Sequence, residues 1–364
     1  MYFREINLRN WRNISQLKIK LEEGLIVITG ANAQGKSNFL EALYLLARGT
    51  LPRPARDEEL ITWGEELAYL SCKVQEKVGD FTREVIIRRG QAKEWRVNGR
   101  LETRKRRIWL VGYFPQDMEI VEGSPSKRRD FLDQTIDLLR PGWGRVCREY
   151  GEVLYRRNTL LREKPHSELI EVYTEKLVSL GTTLVRGRIW YLQNLTPFIQ
   201  QFYRELSGEE EEIQPRYQSR GYSLQNESEI KDGLRQAFRE AKAEELSRGF
   251  TLVGPHRDEV VFQKEGRDLR TFGSQGEKKT LALSLKLAEM NVVKLLTGEK
   301  VIVVLDDLFS ELDEKRRKRL WSEIVSQNQV FVTTTEKLEW EEREKGAKVR
   351  ILTLDRGKIY PEER

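Results

Sequence analysis

The sequence predicts an α/β architecture in which a mixed sheet is built from both ends of the chain and a helical second lobe is inserted between them. Three observations carry this. Residues 25–29 (LIVIT) form a short apolar, β-branched run that Gly30 breaks at once, and from Ser37 onward NFLEALYLLA sets Leu40, Leu43, Tyr44 and Ala47 at helical spacing. Residues 301–305 (VIVVL) give the most apolar strand pattern in the chain and end in Asp306 and Asp307. An amphipathic segment and a second apolar run, Val330, Phe331 and Val332, follow, which is the strand-helix-strand rhythm of a mostly parallel sheet. From about Pro125 to Ser247, charged runs with spaced apolar residues carry hardly a strand signal, the pattern of helices.

Taken in order, the expected divisions are 1–112 for the N-terminal part of the α/β lobe, 113–250 for the helical lobe and 251–364 for the C-terminal part of the α/β lobe. Within 66–99, stretches such as REVIIRR and KEWRVNG alternate apolar and polar residues, and Asn98-Gly99 is a hairpin turn signal, so an antiparallel sheet is expected there. Ile170, Tyr173, Leu177, Leu180 and Leu184 step by three and four, a stripe read as one face of an intramolecular helical hairpin, with a dimerisation zipper as the alternative. The polar stretch 208–226 is expected to be a surface loop or connector, and strand patterning to resume at Thr251, Leu252 and Val253.

A chain of 364 residues exceeds the size at which a single core stops growing, in keeping with two lobes. Its 38% hydrophobic and 34% charged residues suit long exposed helices. No window approaches the roughly 20 consecutive apolar residues of a membrane span. The N-terminus MYFREINLRNWRN lacks the apolar core of a signal peptide, so the expected location is the cytosol. Cys72 and Cys147 form no CxxC pair, which excludes a disulfide framework or a zinc site as the basis of the fold. A net charge of +6 favours polyanionic partners.

The pattern GxxxxGK[ST] is matched in full by GANAQGKS, in the strand-loop-helix context it requires. The loop Gly30, Ala31, Asn32, Ala33, Gln34 and Gly35, with Asn38 in the helix that follows, offers backbone N–H groups to the phosphates of ATP. Lys36 reaches the β/γ oxygens, and the Ser37 hydroxyl is a Mg²⁺ ligand. Asp306, delivered by a rigid strand end, has the geometry of a second Mg²⁺ carboxylate, and Asp307 follows it directly. In GSQGEKKTLALSLKLAE, Ser274 and Glu277 have the spacing of a capping box. The functional alternative is an anion site at Ser274, Gln275 and Gly276.

These motifs together resemble an ABC-type ATPase head, a P-loop NTPase with a mixed sheet. The stretches NLRNWRN, GANAQGKSNFLEALYLL, FPQDMEIVEGSPSKRRDFLD, GPHRDEV, SQGEKKTLALSLKLAE and LDDLFSELDEKRR resemble the RecF family in particular, from end to end of the chain. The resemblance implies an ATP-driven homodimer that clamps gapped or single-strand/double-strand DNA, hydrolyses ATP slowly with stimulation by DNA, and supports RecA loading with RecO and RecR. Within ABC-type heads, the signature Ser274, Gln275 and Gly276 would meet the γ-phosphate held by the other protomer. Ser310, Glu311, Leu312 and Asp313 would form the D-loop at that interface. Gln116 would be the Q-loop residue, sensing Mg²⁺ and the γ-phosphate. Asp307 falls where ABC-type ATPases usually carry a glutamate that orients the attacking water, and its side chain is one methylene shorter, in keeping with slow turnover. Thr334 or Thr335 falls where transporter heads place a switch histidine. Arg12 approaches the nucleotide or is an exposed arginine, and His256 is a satisfied turn histidine or a catalytic one.

Three basic clusters, Arg104 to Arg107, Lys127 to Arg129 and Lys315 to Arg319, are either DNA-phosphate contacts or solvated helix faces. The other functional readings are an SMC-like protein, another ABC-type ATPase subunit with a different partner, and a non-hydrolysing structural clamp. The insertion and the SQGEKK variant argue against a transporter subunit. An SMC-like tether would need a longer arm, since two strands of about 60 residues at 1.5 Å per residue reach roughly 90 Å at most.

Overall fold

The computed structural model describes residues 1–77, 79–103, 106–165, 167–208, 210, 212–308, 314–324, 327, 329–335 and 348–361. The chain divides into two compact units, Met1–Asp117 with Val293–Arg364, and Met118–Val292. The division expected at 250/251 falls inside the second of these.

In chain order the first unit begins with β1 (Tyr2–Trp11), β2 (Ile14–Lys20), β3 (Gly24–Thr29) and α1 (Lys36–Arg48). It continues with β4 (Leu67–Glu76), β5 (Gly79–Arg88), β6 (Glu94–Val97), β7 (Arg100–Leu101) and β8 (Leu110–Tyr113). The second unit holds α2 (Glu119–Glu122), α3 (Pro125–Leu139), α4 (Trp143–Glu163), α5 (Leu169–Ser207), β9 (Ile213–Gln218) and α6 (Glu227–Arg248). It also contains β10 (Glu259–Lys264), β11 (Arg267–Asp268), α7 (Leu269–Phe272) and the N-terminal part of α8 (Gln275–Thr297). The first unit is completed by β12 (Ile302–Leu305), α9 (Glu314–Ile324), β13 (Gln329–Thr333), β14 (Val349–Asp355) and β15 (Lys358–Pro361).

Two six-stranded sheets form the first unit. One is antiparallel, in the order β2-β1-β4-β5-β6-β7, and its β6–β7 turn is the expected Asn98-Gly99 pair, both residues with positive φ. The other has the order β15-β14-β3-β13-β12-β8, parallel from β14 to β8. Its central strands read as continuous apolar runs because both faces are covered. Residues of α1 and both sheets share one core, which includes Phe3, Trp11, Phe39, Leu43 and Phe331. Burial of nearly every α1 side chain explains why its sequence after the first turn is apolar apart from Glu41 and Arg48.

Parallel strands set every strand end of one polarity on one edge. Leu305 of β12 is in register with Tyr113 of β8 and Val332 of β13, so the residues that follow β3, β12, β13 and β8 gather at that edge.

The second unit is helical, as expected, but the stretch expected as a polar loop contains β9. It pairs antiparallel with β10, and β11 completes a three-stranded sheet. Only Ile213 of β9 is buried, so the strand is specified by its partner and not by its own hydrophobic pattern. Conversely, Thr251, Leu252 and Val253 form no strand. The Thr251 N–H donates to Asn158 Oδ1 at 2.8 Å and that of Leu252 to Glu245 Oε1 at 2.7 Å, so side chains replace the ladder. Ile170, Leu177 and Leu184 are buried inside this unit, where α5 packs on α4 and α6, as the intramolecular reading requires.

Candidate functional site

The loop after β3 is shaped by glycines where no other residue fits. Gly30 has φ 145° and a Cβ there would lie 2.3 Å from the Leu354 carbonyl oxygen. Gly35, φ 107°, would put one 2.7 Å from Asn13 Oδ1. Around this loop the first unit builds a brace. Asn13 Nδ2 donates to the Ala33 carbonyl at 3.2 Å, Asn38 Nδ2 donates to Asn13 Oδ1 at 2.8 Å, and Trp11 Nε1 donates to the Asn38 carbonyl at 2.7 Å. From the β14–β15 turn, the Arg356 N–H donates to Gln34 Oε1 at 2.6 Å and the Gly357 N–H to the Gln34 carbonyl at 3.3 Å. Gln34 and Asn38 thus use their side chains to hold the loop, while Ala31, Asn32 and Ala33 are exposed. Asn13 escaped the sequence reading although it lies in the quoted NWRN stretch, because its role depends on which segment packs beside it.

Lys36 folds its ammonium back across the loop, with Nζ donating to the carbonyls of Gly30 at 2.7 Å and Ala31 at 2.9 Å. Burial draws its pKa below the ordinary lysine value, against the pull of Asp307 and Asp306. Ser37 Oγ donates to Asp306 Oδ1 at 3.0 Å. Neighbouring ligands of an octahedral Mg²⁺ at about 2.1 Å stand about 3 Å apart, so this pair fits one such ion. Asp306 is 6% exposed, and burial raises its carboxyl above the usual range despite the Thr333 and Ser37 hydrogen bonds. Asp307 follows with φ 50°, in the left-handed region, and its N–H donates to Thr333 Oγ1 at 2.9 Å. Thr334 is buried, its N–H donating to the Ile28 carbonyl at 3.1 Å, and Thr335 is exposed. Gln116 is half-buried in the short helical turn Pro115–Met118 that follows β8. The β8 end is joined to Asp306, whose N–H donates to the Tyr113 carbonyl at 2.9 Å.

In the second unit the capping box is formed. Glu277 Oε2 accepts from the Ser274 N–H at 2.8 Å and from Ser274 Oγ at 2.9 Å, and the Glu277 N–H donates back to Ser274 Oγ at 3.2 Å. Lys264, 2.9 Å from Glu277, and these bonds hold the Glu277 carboxyl down to about 2. Ser274, Gln275 and Gly276 are all exposed, with Gln275 Nε2 donating to Glu122 at 3.0 Å. The capping reading is formed in full, and the anion reading rests on the exposure of these three residues.

Arg12 is no exposed arginine. It pairs with the buried Glu41 of α1 at 2.7 Å, and Arg53 takes the other Glu41 oxygen at 2.9 Å. His256 is a satisfied turn histidine: its Nδ1 meets the Tyr150 hydroxyl at 2.8 Å, and burial lowers its pKa to about 3. The surrounding GPHRD stretch is a packing hub, where Arg188 grips Asp133 with two bonds and donates to the Pro255 carbonyl at 2.7 Å.

Of the basic clusters, Lys127 to Arg129 is not a solvated face. Arg128 is buried in a two-bond pair with Glu259 at 2.8 and 2.9 Å, and Arg129 donates to the Asp258 carbonyl at 2.7 Å. Apolar neighbours on α3 carry these charges inward, which a count of cations could not reveal. Arg104 and Lys105, Ser310 to Asp313, and the Lys315 side chain lie outside the described residues.

No helix among the described residues is long and apolar enough to cross a membrane. Residues 2–355 match the RecF/RecN/SMC N terminal domain family. The DNA replication and repair protein RecF of Lactobacillus delbrueckii subsp. bulgaricus is 34% identical, with 100% of this chain and 98% of the relative covered. That of Heliobacterium modesticaldum is 37% identical over 92% of each. A solved structure of the recombination mediator protein RecF with ATP in the RecFOR pathway superposes with a TM-score of 0.90 at 30% identity, covering 100% of this chain and 98% of that one. Phosphate loop, paired strand-end aspartates, exposed signature and full-length likeness agree, and the chain belongs to the RecF family of DNA replication and repair proteins, with an ABC-type ATPase head of the RecF/RecN/SMC class.

Proposed function

We propose that this protein binds ATP with Mg²⁺ at the phosphate loop and uses slow hydrolysis to open and close a homodimer on DNA. The observation that carries the reading is the convergence of Ser37 and Asp306 at 3.0 Å beside the Lys36 ammonium. A bound Mg²⁺ supplies positive charge against the β/γ oxygens. Lys36 exchanges its two carbonyl partners for those oxygens, and the backbone N–H groups of Gly30 to Ser37, with Asn38 at the helix start, cradle the phosphates. Ser37 and Asp306 hold the metal, Asp307 orients the attacking water, and Gln116, at the end of the neighbouring strand, senses the site's occupancy.

Exposed Ser274, Gln275 and Gly276 support a contact completed by a second copy, each signature facing the other copy's γ-phosphate. The RecFOR pathway named for the ATP-bound RecF structure supports RecO and RecR as partners, and the family resemblance extends the proposal to gapped or single-strand/double-strand DNA and to support of RecA loading. The test is sedimentation of the protein with ATP, ADP and no nucleotide, with ATP turnover measured with and without gapped DNA. A dimer only with ATP, and turnover that gapped DNA accelerates, is the expected result. A protein that stays monomeric with ATP overturns the clamp.

A further inference from the structure

Thr333, the last residue of β13, is completely buried and joins the two aspartates at the end of the neighbouring strand. Its Oγ1 donates to Asp306 Oδ1 at 2.8 Å and accepts the Asp307 N–H at 2.9 Å. Ser37 donates to the same Asp306 oxygen at 3.0 Å. Two hydroxyl donors therefore fix the rotation of one carboxylate, and neither donor goes to Oδ2. The bond from Asp307 N–H does a different task. Asp307 is a non-glycine residue at φ 50°, a conformation that persists only where its surroundings hold it. A single hydroxyl thus orients one carboxylate through its side chain and the next through its backbone.

We infer that Thr333 is a positioning residue for the Asp306–Asp307 pair, setting Asp306 for Mg²⁺ and Asp307 for water. The inference rests on the nucleotide reading above. A strand-end threonine could instead serve only to satisfy a buried N–H, and the two roles separate by experiment. Thr333→Val keeps the β-branched shape and removes both hydrogen bonds; Thr333→Ser keeps the hydroxyl.

ATP binding is measured at equilibrium in EDTA and across a Mg²⁺ titration, with hydrolysis and thermal melting alongside. In EDTA, Thr333→Val should bind ATP as the wild type does. Its half-saturating Mg²⁺ concentration should rise about tenfold to a hundredfold, the range seen when a ligand loses its orienting partner. Hydrolysis at saturating Mg²⁺ should fall by a similar factor, and Thr333→Ser should restore both. If Thr333→Val is too unstable to test, Thr333→Ala against Thr333→Ser makes the same comparison, because the pair differs by the hydroxyl alone. A valine or alanine variant with the wild-type Mg²⁺ dependence overturns the inference, as does a serine variant as impaired as valine. Wild-type protein whose ATP binding ignores Mg²⁺ overturns instead the nucleotide reading on which the inference stands.

Discussion

Ser37 and Asp306 are 269 positions apart in the chain, yet the hydroxyl of one donates to the carboxylate of the other at 3.0 Å. The parallel sheet makes this contact inevitable, since β3 and β12 flank β13 and end on one edge.

The same edge gives Lys36 its place, and Lys36→Met removes the side-chain cation that lies across the loop. Loss of a charged hydrogen-bond donor costs about 1.5–3 kcal/mol, roughly tenfold to a hundredfold in ATP affinity. Nucleotide-driven dimerisation should disappear at matched ATP concentration, as read by sedimentation. A mutant that still dimerises with ATP contradicts the assignment of the loop.

Asp307→Asn leaves Ser37 and Asp306 intact, so ATP and Mg²⁺ should remain bound while the water loses its carboxylate. Turnover should fall by about a hundredfold or more, the contribution expected of a general base. Wild-type turnover in a dimer of this variant would remove Asp307 from the reaction.

Ser274→Arg places a bulky side chain at an exposed position outside the first unit. Monomer ATP binding should be unchanged, and ATP-dependent dimerisation should be lost. Weakened binding by the monomer would show that Ser274 acts within its own chain.

Arg128→Met probes the cluster that looked like a DNA contact. Its removal leaves the Glu259 carboxylate, 23% exposed, without its two-bond partner, a loss of about 1–3 kcal/mol. Denaturant melts should show this destabilisation. An Arg128→Met protein of wild-type stability would return the cluster to the surface reading.

His256 should make the second unit acid-sensitive. Its folded pKa of about 3 lies below the ordinary histidine value of 6.5, so its contribution is present above pH 6.5 and is lost as pH falls toward 3. The loss should be about 1 kcal/mol between pH 6.5 and 5.5 and about 1.4 kcal/mol over the next pH unit. Denaturation at pH 6.5 and 5.5 measures this, and His256→Gln should lose correspondingly less stability between the two. Equal losses in both proteins would show that His256 is already exposed to protons.

Much of the site was legible in the sequence because its signals are local. Gly30, Gly35, Lys36 and Ser37 must be contiguous to wrap a phosphate, and a strand that ends in Asp306 and Asp307 announces itself by its apolar run. The capping box at Ser274 and Glu277 is likewise a spacing of three, and the Asn98-Gly99 turn a single dipeptide.

Tertiary structure decided what depends on partners remote in the chain. Strand β9 exists because β10 lies beside it, and the stretch at Thr251 and Leu252 is not a strand because Asn158 and Glu245 take their N–H groups. Arg128 and Lys127 are neighbouring cations in sequence, but only the fold sets Arg128 inside against Glu259. Thr333 reads as one of three threonines in VTTT until β12 and β13 align, when one hydroxyl meets both aspartates. Backbone chemistry is written in the order of residues; the direction in which a buried hydroxyl or cation finds its partner is set by the packing of segments that the order alone leaves apart.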